Sequence, residues 1–177
     1  MLLCYLKNIP DARRAQGRRF ALDKVLAISI IAMLCGATSY RGIHAFMKGN
    51  FEEIKEQFGL NWKKPPAYTT IRKIIMKVDT NELERCFREY SHSLSSKTSV
   101  ISIDGKSLRG SYNNIEDKRM RQVLSAFSVN DKIILAHEDI DGDIKTNEIP
   151  LARKIISSFE NRGVIFTLDA LHCQKKL

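Results

Sequence analysis

The sequence predicts an α+β chain, a helical and basic amino-terminal half followed by a mixed α/β sheet. Three observations carry that expectation. Between positions 20 and 94 the apolar residues recur at helical spacing, the pattern of helices packed on a core. From Val100 onward short strand-like runs take over, over 100–103 and 164–168, and each runs straight into an aspartate, Asp104 and Asp169. The charge balance changes at the same place. Residues 1–97 hold 17 Lys+Arg against 9 Asp+Glu, whereas residues 98–177 hold 12 against 11. The net charge of +9 therefore sits almost wholly in the first half, which points to an anionic partner there, most simply nucleic acid, or else to a solvated basic surface.

Taken in order, residues 1–19 are polar and cationic after the first few positions. The run Asp11-Ala-Arg-Arg-Ala-Gln-Gly-Arg-Arg19 holds four arginines and one glycine. It predicts a loop or arm, suited to phosphate contact or serving as an exposed linker. A buried helix follows over 20–36, closed by Gly36. Its apolar run over 25–37 is shorter than the ~20 residues of a membrane span, and no membrane association is expected. Shorter helices over 40–49 and 51–58 precede a break at Trp62-Lys-Lys-Pro-Pro66. Next comes a basic helix over 68–77, with Thr69 or Thr70 as its cap. Ile71, Ile74 and Ile75 make its apolar stripe, and Arg72, Lys73 and Lys77 lie mainly off it. A basic helix after a turn is what a helix-turn-helix reader presents to a groove, which makes Arg72 and Lys73 candidate nucleic-acid contacts. Asp79-Thr-Asn-Glu82 resembles a capping box. It opens a helix to about Leu94 with Leu83, Cys86 or Phe87, Tyr90 and Leu94 inward. The Ser-rich stretch 91–99 marks a boundary, giving a helical, basic domain 1–97 and a second domain 98–177.

In that second domain the strand before Asp104 is followed by a Gly turn and a polar loop over 111–119. Two strands over 122–129 and 132–138 are joined by a tight turn at Asn130-Asp131. A helix over 147–161 carries Ile149, Ala152, Ile156 and Phe159 on one face, and the strand before Asp169 closes the series. Strand, hairpin, helix, strand suits a mixed sheet whose first and fourth strands are parallel neighbours joined by a crossover helix. It is the opening half of a ribonuclease-H-like sheet.

Adjacent parallel strands lie about 4.8 Å apart. Asp104 and Asp169 would then project together from the carboxyl edge of the sheet, where open α/β sheets place ligands. Two carboxylates that close repel one another unless a cation lies between them. Magnesium, held by one or two carboxylates and otherwise by water and phosphate oxygens, fits such a pair. The implied chemistry is metal-dependent phosphoryl transfer. Asp also ends strands for its turn preference alone, so the pattern by itself leaves a structural role open.

Other motifs fail on spacing. Gly105-Lys106-Ser107 lacks the P-loop glycine five residues earlier, since position 100 is Val. In Asp139-Ile-Asp141-Gly-Asp143 the residue that an EF-hand needs as Gly is Ile144. His44 and His92 read as structural or surface residues, and His137 lies near a strand end. His172 is a poor ligand for so hard an ion. The cysteines at 4, 35, 86 and 173 form no C-x-x-C pair and read as reduced thiols of a cytoplasmic protein. The start of the chain lacks the features of a signal peptide.

Several blocks give the sequence a family resemblance. They are Asp11-Ala-Arg, Ala32-Met-Leu-Cys-Gly-Ala37, the Thr-Ile-Arg helix ending in Asp79, and Cys86-Phe87. The sharper ones are Ile103-Asp-Gly-Lys-Ser-Leu-Arg-Gly-Ser111, Lys145-Thr-Asn-Glu-Ile-Pro150 and Thr167-Leu-Asp-Ala-Leu-His-Cys-Gln174. In this order and along nearly the whole chain, they resemble the DDE-type insertion-sequence transposases, in particular the H-repeat-associated family.

The resemblance implies a ribonuclease-H-like catalytic core behind a helical domain. Asp104 and Asp169 would be the first and second catalytic aspartates and metal ligands, holding Mg2+ for DNA cleavage and strand transfer. Lys106 and Arg109 would contact phosphate beside the metals, and Glu148 would be structural or at the edge of the site. The partner would be DNA, most simply transposon ends, with a homo-oligomer or a full-length transposase as the assembly. The family's third acid, a glutamate on a later helix, lies well downstream of the second, and Leu177 is eight residues beyond Asp169. The resemblance therefore implies the amino-terminal part of a transposase, lacking that glutamate and inactive alone. The alternative is a non-catalytic DNA-binding regulator.

Overall fold

A computed structural model describes residues 2–95, 100–107, 122–140, 148–159 and 163–168. The chain forms two compact units, Met1–Cys86 and Phe87–Leu177, and the division falls inside a helix, not in the Ser-rich stretch.

The first unit is helical. Its elements are α1 (Leu2–Leu6), a 3-10 turn (Ala15–Gly17), α2 (Leu22–Leu34), α3 (Tyr40–Gly49), α4 (Phe51–Phe58), α5 (Tyr68–Ile75) and the start of α6 (Thr80–Leu94). Helix α2 is central because it is apolar on most sides, and it packs against α1, α3 and α5. Val25, Ile28 and Ala32 are fully buried, meeting Met47 of α3 and Ile71 and Ile74 of α5 in one core. Ile31, Met33 and Leu34 towards its end are exposed, so the expected buried helix is buried over its first part and, in its last turn, only at Ala32. Gly36 ends α2 as expected, at φ 95°. There the Ala37 N–H donates to Ala32 O and the Gly36 N–H to Met33 O, the paired bonds of a Schellman motif.

The arginine-rich run is not a loose arm. Arg13 is buried and binds Asp11 through Nε and Nη2 at 2.8 and 2.6 Å. It also donates to the carbonyls of Gly17 and Phe20. Arg18 donates in turn to the carbonyls of Arg13 and Asp11. Two of the four arginines thus satisfy the backbone of a turn that would otherwise bury unpaired carbonyls. Phe20 continues the turn into the core, edge-on to Trp62 at 5.0 Å.

Two helix starts differ from expectation. Neither Thr69 nor Thr70 caps α5. The N-cap is Ala67, two residues before Thr69, with no side-chain bond. Asp79 does cap α6, accepting from the Asn81 N–H at 2.9 Å. Glu82 does not return the bond and instead pairs with Arg85 at 2.7 Å. Along α6 Cys86 and Ser91 are buried, whereas Leu83 and Leu94, expected inward, are exposed.

The second unit contains the rest of α6, β1 (Val100–Ser107), β2 (Gln122–Ser128), β3 (Ile133–Ile140), α7 (Glu148–Ser157) and β4 (Ile165–Leu168). The sheet order is β3-β2-β1-β4. Pairs β1·β2 and β2·β3 are antiparallel and β1·β4 is parallel, the mixed sheet expected of the strand order. Helix α7 covers one face. Ala152 and Ile155 of α7 are fully buried against a core that includes Ile101, Ile103, Leu124 and Ala126. Ile149 is buried as expected, but the deepest position in the last turn is Ile155 in place of Ile156. The hairpin between β2 and β3 is wider than a two-residue turn. Residues 129–132 form it, with Lys132 at φ 58°. Asp131 holds the loop by accepting from Ser128 Oγ at 3.0 Å and from Ser95 Oγ at 2.9 Å.

Candidate functional site

Along β1 successive side chains alternate between faces. Ile101 and Ile103 point to the α7 core at 0% and 2% exposure. Ser102, Asp104 and Lys106 therefore stand on the other face. β1 does not end at Asp104, as the Gly that follows suggests. Gly105, Lys106 and Ser107 continue the strand, because each has an antiparallel partner on β2, at Leu124, Val123 and Gln122. The turn expected after Asp104 is absent, and Gly105-Lys106-Ser107 is extended backbone and not a phosphate loop.

The parallel pairing with β4 reaches the residue before Asp104. Its last described partners are Ile103 and Leu168, each the residue before an aspartate in the sequence. Asp169 itself lies outside the described residues, as does Arg109, and so does the side chain of Glu148.

The Asp104 carboxylate is open, with 63% of the side chain exposed, and Lys106 Nζ stands 3.9 Å from its Oδ2. An exposed pair at that distance is worth well under ~1 kcal/mol. It leaves the carboxylate available to a stronger cation and keeps a positive charge beside it. Across the sheet Asp104 faces Ser125, and Ser125 faces His137. Residues directly paired across strands share a face, so Asp104, Ser125 and His137 form one row. That row is not legible in the sequence, since strand register is a long-range property. His137 also meets the Phe87 ring, centroids 5.7 Å apart.

The donor at Asp104 is a carboxylate oxygen, the kind that hard divalent ions take. Among the described residues, no group of three His, Cys, Asp or Glu side chains is placed to hold a metal. The described part of the site thus offers one open carboxylate, a donor of the chemistry that suits magnesium.

In the helical unit, Arg72 and Lys73 are exposed on α5, while Ile71 and Ile74 bury the opposite side. Helix α5 packs on α3, and the two are tied by His44, whose Nδ1 donates to Pro66 O at 2.8 Å. Arg41 of α3 lies over the Tyr68 ring of α5, its Cζ 5.1 Å from the centroid. Arg41 and Tyr68 belong to no motif in the sequence. Their signal was the i, i+4 spacing of Tyr68 and Arg72 on one helix face. Residues 40–50 and 61–78 together contain seven Lys and Arg and no Asp or Glu, while α4 between them carries Glu52, Glu53 and Glu56. No helix among the described residues is long and apolar enough to cross a membrane.

Comparison with known proteins agrees with the blocks noted in the sequence. Residues 3–91 match a family model described as DDE_Tnp_1-associated. The chain is 31% identical over 179 residues to "Putative protein YbfL" of Escherichia coli (strain K12), covering 99% of this chain and 46% of that protein. It is 30% identical to "H repeat-associated putative transposase YhhI" of the same strain, with 99% and 46% covered. With "H repeat-associated putative transposase YbfD" the identity is 29%, over 99% of this chain and 69% of that one. The chain spans about half the length of the first two of these relatives. From the DDE_Tnp_1-associated region through to the sheet, the chain belongs to the DDE transposase family.

Proposed function

We propose that the chain contacts DNA through its basic helical unit and contributes Asp104 to a ribonuclease-H-like, metal-dependent phosphoryl-transfer site of a DDE transposase. The observation that carries this reading is the placement of Asp104, an open carboxylate one residue past the last described parallel pair, Ile103 with Leu168. Continuing that register by one residue would bring Asp169 beside it as the second acid. Magnesium, once bound, would supply Lewis acidity and activate a water or a DNA 3′-hydroxyl. Lys106, 3.9 Å from Asp104, and Arg109 would contact the phosphate, and Arg72 and Lys73 would contact the DNA backbone.

The test is cleavage of duplex DNA carrying matched inverted ends, with magnesium present, alone and with a longer relative added. Cleavage lost in both Asp104→Asn and Asp169→Asn supports the site. Cleavage that survives Asp104→Asn refutes it.

The separation of cations and acids within the helical unit favours a second reading, a DNA-binding regulator without catalysis. Strongly salt-dependent duplex binding with no cleavage under any pairing of chains would select it.

A further inference from the structure

We propose that Arg41, stacked on Tyr68, forms with Arg72 a clamp for the phosphodiester backbone of duplex DNA. This rests on the DNA-contact reading above and adds a residue on a different helix from Arg72 and Lys73. Arg41 is exposed, and its guanidinium lies 5.1 Å from the Tyr68 centroid. Stacking on an aromatic face holds the planar group while leaving its edge donors free for a bidentate contact with phosphate. Tyr68 and Arg72 are i, i+4 on α5, so Arg72 is carried on the same side of the helix as the ring on which Arg41 stacks. The frame beneath them is fixed, since Ile43 and Met47 of α3 and Ile71 and Ile74 of α5 are buried in the same core.

Two further observations point away from a structural role for Arg41. No carboxylate among the described residues pairs with Arg41, Arg72 or Lys73. Arg41 also sits in the first turn of α3, after the Ser39 cap and with no acid in that turn. A cation there opposes the helix dipole, so helix stability gives no reason for its presence.

The experiment is fluorescence anisotropy of the full chain with two labelled duplexes, one of random sequence and one bearing matched inverted ends, across a salt series. Arg41→Ala is expected to weaken binding about tenfold, equally for both duplexes, and to reduce the salt slope by about 1. Arg41→Lys, which keeps the charge and loses the planar fork, should fall between. Tyr68→Phe, which keeps the ring, should bind like the parent. An unchanged thermal midpoint in Arg41→Ala shows that the fold is intact. If Arg41→Ala binds normally while Arg72→Ala is weakened, the clamp is refuted and the DNA reading stands. If the parent chain shows no salt-dependent duplex binding, both fail. A loss confined to the end-bearing duplex overturns the backbone assignment.

Discussion

Ile103 lies directly opposite Leu168 in the parallel pair of β1 and β4, and it is the last β1 residue so paired among those described. Ile103 is buried at 2% exposure while its neighbour Asp104 is mostly exposed. One step along the strand thus separates a residue that holds the sheet to α7 from one whose described partner is only the exposed Lys106. That contrast separates the two roles an aspartate here can have.

Asp104→Asn should leave stability within about 0.5 kcal/mol of the parent, because the side chain is open and its one ion pair is long. Ile103→Ala should cost about 2–5 kcal/mol, as for other fully buried aliphatic residues. Urea melts measure both. A cost above about 1 kcal/mol for Asp104→Asn would mean that the carboxylate supports a turn or cap, and the catalytic assignment would lose its main argument.

The Arg13–Asp11 pair gives a pH-dependent prediction. The hydrogen bond from the Arg13 side chain outweighs the opposing effect of burial and, with the Arg13 backbone N–H and the charges of Arg13 and Arg18, holds the Asp11 carboxyl below its ordinary value. A carboxylate whose pKa is depressed on folding stabilises the fold above its unfolded pKa of about 4 and loses that contribution as pH falls through the lowered folded value. Asp11→Asn should therefore be less stable than the parent at neutral pH, with the gap closing below about pH 4. Arg13→Ala leaves the Gly17 and Phe20 carbonyls without this donor and should cost about 2–4 kcal/mol. Denaturant midpoints across pH check the sign. A gap that widens on acidification would refute the account.

Much of this was legible in the sequence, and the parts that were not share a cause. Helices α3 and α4 lie over the expected spans 40–49 and 51–58, and Ser39 and Gly59, at their ends, are local features of the chain. The parallel neighbourhood of β1 and β4 followed from two apolar runs with a helix between them. The end of β1 was not readable, because Gly105 and Lys106 are held in the strand by Leu124 and Val123 of β2, and nothing near Asp104 announces that pairing. The row of Asp104, Ser125 and His137 and the stack of Arg41 on Tyr68 are equally non-local. Arg13 misled for a different reason. An arginine in a polar run reads as a surface charge, and only the carbonyls of Gly17 and Phe20 make its burial favourable.

Gly36 tests how much the end of α2 depends on one backbone angle. Its φ of 95° is one that residues with a Cβ rarely adopt, although no atom lies within 4 Å of where a Cβ would stand. Strain alone, and not crowding, should therefore set the cost of Gly36→Ala, at about 1 kcal/mol. Gly36→Asn, which tolerates such angles better, should cost less. Equal losses in thermal melts for the two variants would contradict this.

Glu138 is the meeting point of two helices on the edge strand β3. Its Oε1 accepts from Arg88 of α6 at 2.8 Å and its Oε2 from Lys154 of α7 at 2.8 Å. Arg88 also donates to the His137 carbonyl, so it covers part of the strand's open edge. Arg88 and Glu138 are 24% and 17% exposed, whereas Lys154 is 65% exposed. A double-mutant cycle on Arg88 and Glu138 should therefore give a coupling of about 1 kcal/mol, and one on Lys154 and Glu138 below about 0.5. Raising salt to about 1 M should nearly remove the second coupling and leave most of the first, since shielded pairs are screened less. If both couplings vanish together in salt, Arg88 is a solvated surface charge and the anchoring of α6 to β3 must come from the Phe87–His137 contact instead.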